Sequence, residues 1–322
     1  MIMKNTVRSL LALTLVFSSL CVSQAQDLKG KKVFYINSYH VGYTWSDGIE
    51  AGIQNVLKPT GAEVKVATLD TYRQKSAEHL AQAGAECRAT IEQWKPDVVI
   101  VSDDAAMKAV YVPFFKDKDV PFVFCGVNWD ASAYGVPNKN ITGMLEVCPI
   151  KDLLAEMNKL KAGKTIGYLS SDAMTPKKDG ENCGKILEGK LETIYAPNFA
   201  AWKQGFLDLQ AKTELVIIGS NQGISDWDEP AARKFVEDNT KVVTGSWHDF
   251  LNGLALVSFN KVPAEQGEFA AKAAIKVMQG TVPGSIPIIA NVKGELVINA
   301  RIATKAGITP SFEILQNAKV LE

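Results

Sequence analysis

The chain has 322 residues, 47% of them hydrophobic, which is enough for two cores of ordinary domain size. Its 35 Lys and Arg balance 35 Asp and Glu, and no basic cluster breaks that balance. Nucleic acid and anionic membrane surfaces are therefore excluded as natural partners, and a small neutral or zwitterionic ligand suits the charge better.

In chain order, residues 1–25 have the form of a cleavable signal peptide. Lys4 and Arg8 precede the apolar run Leu10 to Leu20, and Ser23-Gln24-Ala25 puts small residues at a cleavage position. The expected product is exported, and periplasmic in a cell with two membranes. The residues before Cys21 do not form a lipobox, so no lipid anchor is expected. No later apolar stretch reaches the roughly 20 residues of a bilayer span. Cys87, Cys125, Cys148 and Cys183 follow without C-x-x-C or Cys/His spacing. No metal or other cofactor is expected, and disulfide pairing stays open.

From residue 31 onward apolar runs alternate with helical periodicity. "KVFYINS" leads into a helix with Thr44 and Asp47 as a capping box and Ile49, Ile53 and Val56 as its apolar face. "AEVKVATLD" precedes a helix whose stripe includes Cys87; "PDVVIVSDD" precedes the helical "AAMKAVYVPFFK"; "VPFVFCGVN" ends the first series. The second series runs through "NITGMLEVCPI", the helix "KDLLAEMNKL", "KTIGYLSSD", a helix around "CGKILEGKL", "TIYAP", a helix from Phe199, "TELVIIGSNQ", a helix near "EPAARKFVED" and "KVVTGSWHD". Strand-helix alternation requires crossovers, hence parallel sheets. The fold class is α/β, with two Rossmann-like doubly wound lobes. The expected division is 26–130 plus about 252–286 for the first lobe, and about 145–248 plus about 292–322 for the second.

Ligands of open parallel sheets bind beyond the carboxyl ends of the strands. Those ends carry the candidate ligand-binding residues: Ser38, Tyr39, His40 and Trp45; Ser102, Asp103 and Asp104; Asn128 and Trp129; Ser171 and Asp172; Asn221; and Trp247, His248 and Asp249. Polar groups interleaved with aromatics are the composition of a small-molecule pocket.

"NSYHVGYTWSDGI" and "NKNITGMLEVCPIKDLLAEMNKLKAGKTIGYLSSD" resemble the ABC-transporter substrate-binding family with the type I periplasmic binding protein fold. The more specific part is "NITG" at 140–143, followed by a helix and a strand of the form "IGYL". The resemblance implies two lobes joined by three crossovers, near 128–147, 247–252 and 284–294, that close over one ligand. It also implies an ABC permease as partner or, as the alternative, a membrane sensor kinase or cyclase, and a monomeric receptor. Relatives often carry a Thr-Asp-Pro turn after the fourth strand, where this chain reads "GVNWD". Trp129 then adds an aromatic wall.

An amino acid would place its carboxylate at the helix that starts near Trp45 and its ammonium at Asp103, Asp172 or Asp249. A sugar stacked between Trp129 and Trp247 uses the same groups. Plainer readings compete: Trp45 as the top of a buried helix face, one of Asp103 and Asp104 as a helix cap, Arg73 on the outer rim, and His79 in solvent. His40 and His248 could form a metal site across the lobes, although no spacing supports it, or serve as the base of a hydrolase or lyase. The chain has no G-x-S-x-G, Walker loop, H-E-x-x-H or G-x-G-x-x-G after a strand, so an enzyme reading has no nucleophile.

Overall fold

The structure, a computed structural model, describes residues 27–322; the expected signal peptide lies outside the described residues. The first lobe opens with β1 (Lys32–Asn37), α1 (Thr44–Leu57), β2 (Glu63–Thr68), α2 (Ala77–Trp94) and β3 (Val98–Ser102). A short α3 (Asp103–Ala106) runs on into π-helical turns over Met107–Phe115, followed by β4 (Phe122–Asn128) and β5 (Ile141–Glu146). The second lobe comprises α4 (Ile150–Leu160), β6 (Ile166–Ser171), α5 (Met174–Ile186), β7 (Leu191–Ala196), α6 (Phe199–Lys212), β8 (Leu215–Ile218), α7 (Glu229–Asn239), β9 (Val243–Ser246) and β10 (Val257–Lys261). The tail contributes α8 (Pro263–Met278), β11 (Ile289–Ala290), β12 (Gly294–Asn299), α9 (Ala300–Lys305), α10 (Phe312–Asn317) and β13 (Lys319–Leu321).

The first sheet has the order β11-β5-β4-β3-β1-β2 and is parallel throughout. Its central strand β3 is buried along its whole length, as expected of a strand covered by helices on both faces. The second sheet has the order β13-β12-β10-β9-β8-β6-β7, and only the β10–β12 pairing is antiparallel. Each lobe owns its core: the second is centred on Trp202, Phe206, Tyr168 and Trp247, while the first has one apolar layer on each face of its sheet.

The tail is divided between the lobes differently from the sequence expectation. β10, expected in the first lobe with 252–286, belongs to the second sheet, and the first lobe runs past residue 130 to include β5. α8 packs against α1, so the middle crossover falls at 261–263 rather than 247–252. Two glycines allow that helix pair to close up. A Cβ on Gly267 would lie 2.0 Å from the Ile49 carbonyl oxygen, and one on Gly52 would lie 2.4 Å from that of Ala264. No side chain fits at such a crossing.

Two helix starts also differ. α1 is capped by Tyr43 without a side-chain bond, and the Asp47 carboxylate instead accepts the Gly42 N–H at 3.0 Å from each oxygen. α5 starts nine residues before "CGKILEGKL", because its buried stripe is Pro176, Asp179, Gly180 and Cys183 rather than large apolar residues.

Candidate functional site

The carboxyl ends of both sheets meet at a cavity of about 560 Å³, within the range of small-molecule sites. From the first lobe come Tyr39, Tyr43, Thr44, Trp45, Asp103, Asn128 and Glu146. From the second come residues 173–176 and Asp179 of α5 and its approach, Ser220, Gln222, residues 247–250 and Lys261.

Asp103 is the pivotal group of the first-lobe wall. Its backbone is left-handed, at φ 67°, which turns the first residue of α3 inward. Gly126 leaves the room: a Cβ there would lie 2.7 Å from Asp103 Oδ1, and its own φ is 68°. The indole Nε1 of Trp45 donates to Oδ1 at 2.9 Å, the Ser102 side chain also supports the carboxylate, and Oδ2 is buried. Asp103 is 2% exposed, and burial, with the Glu146 carboxylate adding repulsion, pushes its pKa well above the usual aspartate range.

Beneath it, Lys261 at the end of β10 pairs with Glu146 at the end of β5, so one ion pair ties the two sheets together at the root of the cleft. Burial pushes the Glu146 carboxyl up despite the lysine, and the Lys261 ammonium is raised because the nearby carboxylates outweigh its own desolvation. The ammonium also lies 5.4 Å from the centre of the Trp45 ring. Three further contacts cross the cleft: Trp129 Nε1 donates to Asp179 at 2.7 Å, Lys178 Nζ donates to the Asn128 carbonyl at 2.7 Å, and the Tyr43 hydroxyl meets the Gln222 side chain.

Comparison with known proteins assigns the chain. A family described as ABC transporter substrate binding protein matches residues 45–321. The chain belongs to that family. Its members are substrate-binding proteins rather than enzymes. No curated protein matches. Among solved structures, a conserved domain protein from Vibrio cholerae is 18% identical, with 91% of this chain and 100% of that one covered and a TM-score of 0.65. The ABC domain in complex with L-Trp from Streptococcus pneumoniae is 18% identical, with 90% and 99% covered and a TM-score of 0.63. A ligand-free, open substrate-binding protein with adhesive properties from Clostridium difficile is 15% identical, with 91% and 99% covered and a TM-score of 0.71. The fold is that of the type I periplasmic binding proteins.

Of the candidate residues in this substrate-binding protein, Tyr39, Trp45, Asp103, Asn128, Trp247, His248 and Asp249 reach the cavity. The others are placed elsewhere. Ser38 and Ser102 are braces: Ser38 Oγ donates to the Ser102 carbonyl at 2.6 Å and accepts the Ala106 N–H at 2.8 Å, while Ser102 Oγ bonds Tyr35. His40 stands in a rim cluster with Tyr43 and Tyr72. Asp104 accepts from Asn128 and Tyr134 and thereby shapes the β4 loop. Ser171 Oγ is tied to the Gln222 carbonyl, Asp172 pairs with Lys177, and Asn221 closes a turn to Ile224.

The Trp129–Trp247 sandwich does not form. Trp129, at φ 62°, is spent on Asp179, and Trp247 stacks on Tyr168 at 5.7 Å. His79 is not simply solvated, since its Nε2 lies 2.7 Å from the Leu69 carbonyl oxygen. The described residues contain no group of three or more His, Cys, Asp or Glu that could hold a metal, and His40 and His248 do not converge. Burial drives the His248 imidazole well below its ordinary value, so the ring is neutral and poorly suited as a base that must carry a proton.

Glu146, Asp179 and Lys261 were missed by sequence reasoning. Glu146 and Lys261 look like solvated ends of strands, and their pairing spans 115 residues. Tyr43 was within reach, because it lies one position ahead of a helix that opens on the strand-end loop.

Proposed function

We propose that this protein is a periplasmic solute receptor that captures a small ammonium-bearing, amino-acid-like ligand with a flat or apolar face and presents it to an ABC permease by lobe closure. The observation that carries the reading is a cavity lined by both lobes whose wall includes the buried Asp103 carboxyl beside Tyr39 and Tyr43. A buried carboxyl gains from a cation, whose arrival favours the ionised form. Tyr39 and Tyr43, with ring centres 4.9 Å apart, supply a face for an organic body. The bound L-Trp of the Streptococcus pneumoniae relative agrees with that chemistry. A ligand touching both lobes stabilises the closed state through contacts the open state lacks, and closure is what a permease would read. No helix among the described residues is long and apolar enough to cross a membrane, in keeping with a receptor separate from its permease.

A thermal-shift screen of amines, amino acids, sugars, purines and short peptides tests this reading. A true ligand at a hundred times its dissociation constant adds about 2.7 kcal/mol of stability. Hits confined to sugars or anions, or no hit at all, would overturn it.

A further inference from the structure

α5 supplies part of the second-lobe wall of the cleft, yet little apolar burial holds it in place. Its two large apolar side chains, Met174 and Ile186, are 85% and 38% exposed. The face it turns inward is Pro176, Asp179, Gly180 and Cys183, and a Cβ on Gly180 would lie 2.3 Å from the Tyr195 hydroxyl oxygen. A helix is ordinarily fixed by a packed apolar stripe, so another restraint is expected here. Behind that face stands Cys148, in the crossover between β5 and α4 and two residues after Glu146. Its thiol is hydrogen-bonded to that of Cys183 and also meets the Asp179 carboxyl. Cys148 is 4% exposed and Cys183 is fully buried, both in the core of the second lobe. The other two thiols lie in the first lobe on opposite faces of its sheet, Cys87 in one apolar layer and Cys125 in the other. The sheet separates those two, and the second-lobe pair is the one the fold brings into contact.

We propose that Cys148 and Cys183 are oxidised to a disulfide in the exported protein, stapling α5 to the crossover behind the cleft. This goes beyond the ligand question and rests on the receptor reading only for its oxidising compartment. The bond forms by exchange with the disulfide of a thiol–disulfide oxidase. One thiolate of the chain attacks that disulfide, the second displaces the oxidase from the mixed disulfide, and the oxidase leaves as a dithiol carrying the two protons. Burial holds the Cys148 thiol well above its ordinary pKa, so the folded chain offers little thiolate. Exchange therefore belongs to the stage before the second-lobe core closes. The staple then encloses α4 and β6 in a covalent loop and holds Asp179 to the strand end that bears Glu146.

The test is the thiol state of the full chain, expressed in a cell with two membranes, recovered from the periplasmic fraction, quenched in acid, and unfolded and alkylated without reductant. Peptide mass mapping should show one linked pair containing Cys148 and Cys183, lighter by two hydrogens than the separate thiols, with Cys87 and Cys125 alkylated. Protein unfolded and refolded with reductant should melt several degrees lower, or fail to refold, because the loop is no longer closed in the unfolded chain. The double variant Cys148→Ser, Cys183→Ser should match the reduced protein and ignore reductant; the comparison of wild type with and without reductant holds even if that variant does not fold. Four alkylated thiols, a linkage through Cys87 or Cys125, or a midpoint unmoved by reductant would each overturn the staple. A ligand found for a chain with four free thiols leaves the receptor reading standing without it. A chain confined to the cytoplasm would remove the periplasmic reading and the disulfide together.

Discussion

The first-lobe wall of the cleft is tied together around buried carboxyls, whereas the second-lobe wall sets buried Asp179 and Trp247 beside an exposed apolar fringe. On the first, Asp103 and Glu146 are buried, Trp45 is anchored to Asp103, and the loop after β1 is pinned through Ser38 to β3 and α3. On the second, Met174 is 85% exposed and Phe250 41% exposed although both line the cavity, and Asp249 is exposed beside them. The comparison teaches a division of labour. One wall holds its functional atoms in place before a ligand arrives, which lowers the ordering cost of binding; the other exposes apolar surface, whose burial would reward the lobe closure proposed above.

The contact on which both walls depend is Lys261–Glu146, and removing it is the harshest way to test the comparison. In Lys261→Met, Glu146 stays buried without its cation, and loss of one partner of a buried pair costs about 3–5 kcal/mol. Chemical denaturation should register that loss. Because Glu146 can then be neutralised only by taking up a proton, the variant should recover part of the deficit as pH falls. A deficit under about 1 kcal/mol would mean that the pair is effectively solvated and does not brace the cleft.

Gly126→Ala attacks the first wall alone. The new Cβ meets Asp103 Oδ1 at 2.7 Å on a backbone with φ 68°, so the aspartate must move or the strand end must shift. Overpacking of this kind costs about 1–3 kcal/mol. The amine or amino acid found in the screen should lose at least tenfold in affinity, and the Trp45–Asp103 bond should be displaced in a crystal structure of the variant. Unchanged affinity would show that Asp103 need not sit where it does.

Much of the architecture was legible because periodicity reports burial directly. Continuous runs such as "DVVIV" read as parallel strands buried on both faces, and α1 and α2 followed their apolar stripes. The loop positions Tyr39, Asp103 and His248 were legible from their place at strand ends, whereas Ser38, Ser102 and Asn221 at the same ends are taken up by bracing and turn contacts. What stayed hidden depended on partners far along the chain or on backbone direction. Nothing in "LVSFNK" states that β10 joins the second sheet, since a strand's neighbours are set by the whole topology. Trp129 and Asp179 are likewise paired across 50 residues, and the left-handed turn that aims Trp129 at α5 has no glycine to announce it. Asp179 looks solvated until Pro176, Gly180 and Cys183 are seen to share its buried face.

The mildest test concerns the exposed fringe of the second wall. If Met174 and Phe250 serve closure rather than anchoring, truncating either should leave the ligand-free protein within about 0.5 kcal/mol of wild type, as usual for exposed positions. Met174→Ala removes a side chain that has little packing to lose before the lobes close, so its effect should fall on the bound state. Closure buries apolar area at roughly 25 cal/mol per Å², and a side chain only partly covered returns about 1 kcal/mol or less. Dissociation should therefore quicken a few-fold, with association nearly unchanged, because encounter precedes closure. Stopped-flow measurement on Met174→Ala and Phe250→Ala separates the two rates. If association slowed instead, these residues would be guiding entry, and the fringe would be a landing surface rather than a lid.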